Sequence, residues 1–160
     1  MKSETWTIQQ VFQDRRQYKV PFYQRAYVWT LKGQWELLWG DIADKAAERL
    51  AGATPPPHFL GAIVVEPQES NTLRGVSTLH IIDGQQRLTT LQYVLASLRL
   101  VARDLGDATV EAFLSAALDN PNPDTMIDPA TEIFKVWPTF SDQRDFVGCM
   151  TAKMLISTSK

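Results

Sequence analysis

His80-Ile81-Ile82-Asp83-Gly84-Gln85-Gln86-Arg87-Leu88-Thr89-Thr90-Leu91 is the stretch that decides how this chain folds. The apolar run Leu79 to Ile82 has the density of a buried strand, and Asp83-Gly84 interrupts it. A helical pattern then begins at once. The first N–H groups of a helix lack partners within it and carry the positive end of its dipole, so they favour negative charge. Asp83 at such a junction, with Gln85, Gln86 and Arg87 in the first turn, gathers an acid, two amides and a guanidinium. That set suits a phosphate and a metal. Asp83 also has a plainer reading, as the cap of the helix.

Downstream, Leu88, Leu91, Leu95, Leu98, Ala102 and Leu105 recur at intervals of three and four, the mark of one apolar helix face. At about 100° per residue, Arg87 falls on the edge of that face, while Gln86 and Thr90 point away from it. A guanidinium at the margin of a buried stripe needs a partner, because an unpaired charge out of water is costly. Either a protein carboxylate or a ligand phosphate would serve.

Working outward, Thr5 or Thr7 is placed to cap a short helix through Ile8, Val11 and Phe12. Tyr18 to Val20 reads as extended and stops at Pro21. From Pro21 to Thr30 the chain is rich in aromatics and has the period of neither strand nor helix. Leu31 to Leu50 reads as a long amphipathic helix, with Trp35, Leu38, Ile42, Ala46 and Arg49 or Leu50 on one side. Ala51 to His58, with three consecutive prolines, is a loop. Phe59 to Val65, β-branched and apolar, predicts a buried strand, and Glu66 to Ser77 the turn that follows. A second helix is expected over Ala108 to Leu118, then a connector from Asp119 to Pro129 and a short strand over Phe134 to Trp137. Ser141 should cap a last helix holding Phe146 and Met150. Met154 to Lys160 brings no closing element, which suggests the front part of something larger.

With 160 residues, 44% of them hydrophobic, and five tryptophans, the chain is sized for one domain with a proper core. Its net charge of −2 lacks the basic footprint of a protein whose only task is to bind nucleic acid. Cys149 is the single cysteine, which excludes an intramolecular disulfide and a multi-cysteine zinc site. His58 and His80 read as a loop and a strand residue, and their spacing makes no metal site. There is neither a signal-peptide core nor an apolar run of membrane-span length, so a cytoplasmic protein without a membrane partner is expected.

Three segments now carry a resemblance. Pro21-Phe22-Tyr23-Gln24-Arg25-Ala26-Tyr27-Val28-Trp29, then His58-Phe59-Leu60-Gly61, then Ile82 to Leu91 occur in the order seen in one family. The sequence resembles the N-terminal domain of the GmrSD-type modification-dependent restriction nucleases, a domain with a ParB/sulfiredoxin-like core. Val136-Trp137-Pro138-Thr139 and Asp142-Gln143-Arg144-Asp145-Phe146 fit the same pattern more loosely. The resemblance implies an α/β (α+β) fold, a small mixed sheet with flanking helices. A nucleotide-binding domain would span 1–118, with a connector and the start of a further helical region over 119–160.

The resemblance also implies a module that binds and hydrolyses a nucleoside triphosphate with Mg2+ or another divalent cation, as the regulatory part of a defence system against foreign DNA. The implied catalytic residues are Asp83, Gln85, Gln86 and Arg87. The implied nucleotide-binding residues are Tyr23, Gln24, Arg25, Gly84, Arg87 and Thr90, with Asp83 as the metal ligand. The individual roles come from the chemistry of phosphoryl transfer and not from the resemblance: Asp83 to hold the magnesium, Gln85 or Gln86 to orient the attacking water, and Arg87 and Arg25 to neutralise triphosphate charge. A nuclease domain or subunit is the implied partner, together with modified DNA. Tyr23, Tyr27 and Trp29 are either packing residues or a platform for a modified base, and Arg25 has the alternative of a salt bridge to Asp41 or Asp44. No Walker loop is present, and no His-Asn-His nuclease element follows, so this chain alone is not expected to cut DNA. The competing reading is a non-catalytic reader of modified DNA, or a partner-binding module, of the same fold.

Overall fold

The strand before Asp83 is β3 (Ser77–Asp83), and its two neighbours run in opposite directions. The computed structural model describes residues 3–68 and 74–152. On one side β1 (Arg16–Lys19) lies parallel to β3, with Tyr18 beside Leu79; on the other β2 (Val64–Pro67) lies antiparallel, with Val65 beside Ile81. Beyond β1, the short β4 (Val136–Trp137) runs parallel to it and places Val136 beside Tyr18. The order is β2-β3-β1-β4, a small mixed sheet. Helices flank it, as expected for an α+β domain.

A parallel pair needs a long crossover, and residues 20–76 supply it between β1 and β3. They include a π-helical turn at Leu31–Trp35 and α2 (Glu36–Leu50). Around the sheet stand α1 (Ile8–Phe12), α3 (Gln85–Asp104), α4 (Ala108–Leu118), the single turn α5 (Pro129–Glu132) and α6 (Gln143–Thr151). Thr7 caps α1 reciprocally: its hydroxyl accepts the Gln10 N–H while the Gln10 side chain accepts the Thr7 N–H. Asp107 caps α4 by accepting the Val110 N–H at 3.0 Å.

The core joins the sheet to these helices. Tyr18, Val20, Ile81 and Val136 pack with Phe12, Leu88, Ala96, Leu118, Phe134, Phe146 and Met150. Full burial of a large apolar side chain is worth about 1.5–3 kcal/mol, so Ile81 and Leu88, both without solvent contact, tie the strand–helix junction firmly to the core.

Several sequence expectations are corrected. Phe59 to Val65 is not one buried strand: pairing starts only at Val64, and Phe59 is exposed. Gly61 takes a left-handed conformation, φ 101°, which breaks the extended run, and β2 is then an edge strand with Pro67 at its end. The helix predicted from Leu31 begins as a π-helical turn, and no residue of α2 is fully buried. Asp142, not Ser141, holds the N-cap position of α6. The ending from Met154 lies outside the described residues.

The apolar face read along α3 is also only half right. Leu88 and Ala102 are buried, but Leu98 and Leu105 are exposed. Thr90, expected to point outward, is 1% exposed, and Gln92 and Arg99 are buried as well. For Gln92 and Arg99 the reason lies at the ends of neighbouring helices, where carbonyls lack intrahelical partners. Gln92 donates to the Ala117 carbonyl at 3.2 Å. Arg99 donates to the Asp119 carboxylate and to the Met150 carbonyl, each at 2.6 Å.

Candidate functional site

Gly84 permits the turn from β3 straight into α3. Its φ of 96° lies in the left-handed region, which strains any residue with a side chain. A Cβ there would also come within 3.2 Å of the Ala62 carbonyl oxygen and the Ile63 Cα. No side chain caps α3, and its first internal bond runs from the Leu88 N–H to the Gly84 carbonyl at 3.0 Å. The N–H groups of Gln85, Gln86 and Arg87 precede that bond and face out of the helix end.

Asp83 is therefore not a cap. Its carboxylate is exposed, with Oδ2 3.2 Å from Nη2 of Arg87. The same Nη2 donates to the Ala62 carbonyl. Nε of Arg87 is buried, with no acceptor among the described residues. Both partners of Arg87 thus belong to the protein, and they engage one of its two terminal nitrogens.

The two motifs are laced together by hydrogen bonds. Gln24 donates to the Ile82 carbonyl at 3.1 Å, and Gln85 donates to the Arg25 carbonyl at 2.8 Å. Gln86 donates to the Ala26 carbonyl and accepts the Val28 N–H, both at 3.1 Å. One turn further on, the Tyr27 hydroxyl lies 2.8 Å from that of Thr90. Residues 24–28 have no ladder or helix of their own to satisfy their backbone, so these amides do it. The segment Tyr23 to Arg25 is thereby fixed beside the helix start.

A third segment joins in through Asp142, whose part here no local sequence pattern marks. Asp142 accepts the Tyr27 N–H at 2.9 Å and the Thr139 hydroxyl at 2.6 Å. Nothing in the sequence connects positions 27 and 142, though the aspartate opens the element Asp142-Gln143-Arg144-Asp145-Phe146.

The aromatics divide into two groups. Tyr27 packs edge-on against Tyr93 at 5.4 Å between centroids, and Trp29 against Trp35 at 6.1 Å. Tyr93 in turn meets Phe146 at 5.7 Å, which links the loop to α3 and α6. Burial pushes the Tyr27 phenol up, against the pull of its bonds to Thr90 and Trp35. Phe22 and Tyr23 are exposed and lie edge-on to each other at 5.6 Å. Arg25 is exposed too. Among the described residues it makes no salt bridge with Asp41 or Asp44, and Asp41 instead lies 3.8 Å from His58.

A family model described as the GmrSD restriction endonuclease N-terminal domain matches residues 8–157. The chain belongs to that family. No curated protein matches it. As a GmrSD N-terminal domain it is a module of the restriction-endonuclease type, and all the segments laced together above fall within the matched span. Among the described residues, no helix is long and apolar enough to cross a membrane.

The donor set of this GmrSD domain bears on the expected cation. Among the described residues no group of three or more His, Cys, Asp or Glu side chains is arranged around a common point. Asp83 is the carboxylate that stands at the helix start. Such a set does not fit a metal caged by protein ligands. It fits magnesium, which takes one or two carboxylates and completes its shell with phosphate oxygens and water.

Proposed function

We propose that this GmrSD N-terminal domain binds a nucleoside triphosphate with magnesium at the start of α3, hydrolyses it, and through that cycle regulates a nuclease domain or subunit directed at modified DNA. The observation that carries the reading is an uncapped helix start flanked by Asp83 and Arg87, with Tyr23 to Arg25 fastened beside it. Backbone N–H groups and the helix dipole favour phosphate there.

The side chains then take distinct roles. Arg87 and Arg25 offset charge on the phosphates, and the N–H groups after Gly84 hold their oxygens. Gln24, beside Tyr23, helps fix the nucleotide. Asp83 would hold the magnesium, whose contribution when bound is to neutralise the triphosphate. Gln85 orients the attacking water, because its Oε1 meets no donor among the described residues while its amide nitrogen is taken by Arg25. Gln86 and Thr90 are positioning residues, with their polar atoms engaged by Ala26, Val28 and Tyr27. Hydrolysis of this kind depends on positioning and charge more than on covalent chemistry.

Titration of ATP, GTP, CTP and UTP with magnesium, comparing the natural chain with Asp83→Ala, tests the reading. Binding that requires magnesium and weakens in Asp83→Ala is expected; equal binding by both, with and without magnesium, would remove Asp83 from the site.

The exposed pair Phe22 and Tyr23 favours one second reading, a modification reader that stacks on an altered base. Tyr23→Ala should then erase any preference for modified over plain DNA. An unchanged preference would end that reading.

A further inference from the structure

We propose that Gly61, in the His58-Phe59-Leu60-Gly61 segment, is the positioning residue for Arg87, and that the turn at Gly61 and Ala62 sets where the guanidinium stands at the phosphate site. The inference rests on the nucleotide reading above and assigns a task to a segment that reading leaves idle.

Gly61 has a φ of 101°, and a Cβ built on it would lie 3.1 Å from both Cδ and Nε of Arg87 and 3.3 Å from Cζ. The glycine backbone thus forms one wall of the channel in which the arginine side chain lies. The next residue supplies the floor: the Ala62 carbonyl accepts from Nη2. That same carbonyl passes so close to Gly84 that a Cβ there would stand 3.2 Å from it. Two left-handed glycines therefore let one loop lie against both the helix start and its arginine.

The consequence is directional. Nε is shut away against the loop with no acceptor among the described residues, and Nη2 is shared between Ala62 and Asp83. Among the described residues Nη1 meets no acceptor, and it is the nitrogen left to a ligand oxygen. A guanidinium carries five donors in a rigid fork, so fixing Nε and Nη2 also fixes the direction of Nη1. A methyl group at position 61 would move the arginine by a few tenths of an ångström and turn that nitrogen away.

The test is a pair of double-mutant cycles on the full chain, with Gly61→Ala, Arg87→Ala and both together. One cycle reads binding of inorganic tripolyphosphate with magnesium, and the other reads thermal unfolding. Gly52→Ala is the control. Gly52 has a similar φ, 84°, but a Cβ there would meet nothing within 4 Å, so it carries the backbone strain without the contact. Gly61→Ala should weaken tripolyphosphate binding about tenfold in the natural background, the loss of one charged hydrogen bond, and leave it unchanged in Arg87→Ala. Gly52→Ala should leave binding unchanged. In the unfolding cycle, removing Arg87 should relieve part of the destabilisation caused by Gly61→Ala.

Equal weakening in both backgrounds, or none in either, overturns the positioning role. A natural chain that binds no tripolyphosphate overturns the nucleotide reading instead, and the unfolding cycle then shows Gly61 to be a packing neighbour of Arg87 and nothing more.

Discussion

Gln86 holds Val28 from across the site: its Oε1 accepts the Val28 N–H at 3.1 Å while its Nε2 donates to the Ala26 carbonyl at the same distance. A side chain bonded at both ends is poorly placed to hold a water. Gln86→Ala should therefore cost about 1–2 kcal/mol of stability, from two lost hydrogen bonds and a freed loop. It should also raise KM for the triphosphate more than it lowers kcat. A large fall in kcat with KM and stability unchanged would make Gln86 the residue that handles the water.

Asp142 is expected to matter as much as the motif residues, although it lies far from them in sequence. Asp142→Ala leaves the Tyr27 N–H and the Thr139 hydroxyl without their acceptor, which should cost about 1–3 kcal/mol. Chemical denaturation measures this directly. A variant as stable as the natural chain would show that the bond to Tyr27 contributes nothing.

The strand before Asp83, the helix after it and the bounds of α4 follow from apolar period and from the Asp83-Gly84 break, which are local properties. The meeting of the two motifs beside each other is not local, and it was legible only through resemblance. What periodicity missed has a common cause. Gln92, Arg99 and Thr90 are polar residues buried because other elements present them with a carbonyl, a carboxylate or a hydroxyl, and a single helix pattern holds no record of those partners. Phe59 misled for the converse reason: its β-branched surroundings favour a strand, but the left-handed Gly61 ends the run before Val64 can pair.

Substitutions along α3 should follow the observed face and not the leucine repeat. Leu88→Ala should cost about 2–5 kcal/mol, since Leu88 is fully buried. Leu105→Ala should stay within about 0.5 kcal/mol, since Leu105 is 77% exposed. Comparable losses at both positions would mean that the helix buries a different side.

Lys135 gives the fold a pH signature. Burial lowers its pKa from 10.5 to about 8, with Arg16 adding to the effect and Asp119 opposing it. Its ammonium donates to the Asp14 carbonyl at 2.6 Å. Between about 8 and 10.5 the unfolded chain keeps a proton that the folded chain has shed, so this residue's contribution to stability rises with pH across that window. Below it both states are protonated and the contribution is flat. Unfolding free energies measured from pH 7 to 10.5 should therefore rise for the natural chain relative to Lys135→Met. A constant difference between the two would contradict the shift.

Release of inorganic phosphate from ATP, GTP, CTP and UTP with magnesium, natural chain against Arg87→Ala, tests the central claim most directly. The account predicts turnover of at least one triphosphate by the natural chain and its loss in Arg87→Ala, with both proteins folded by thermal unfolding. Turnover that survives in Arg87→Ala, or a natural chain that releases phosphate from none of the four, would contradict it.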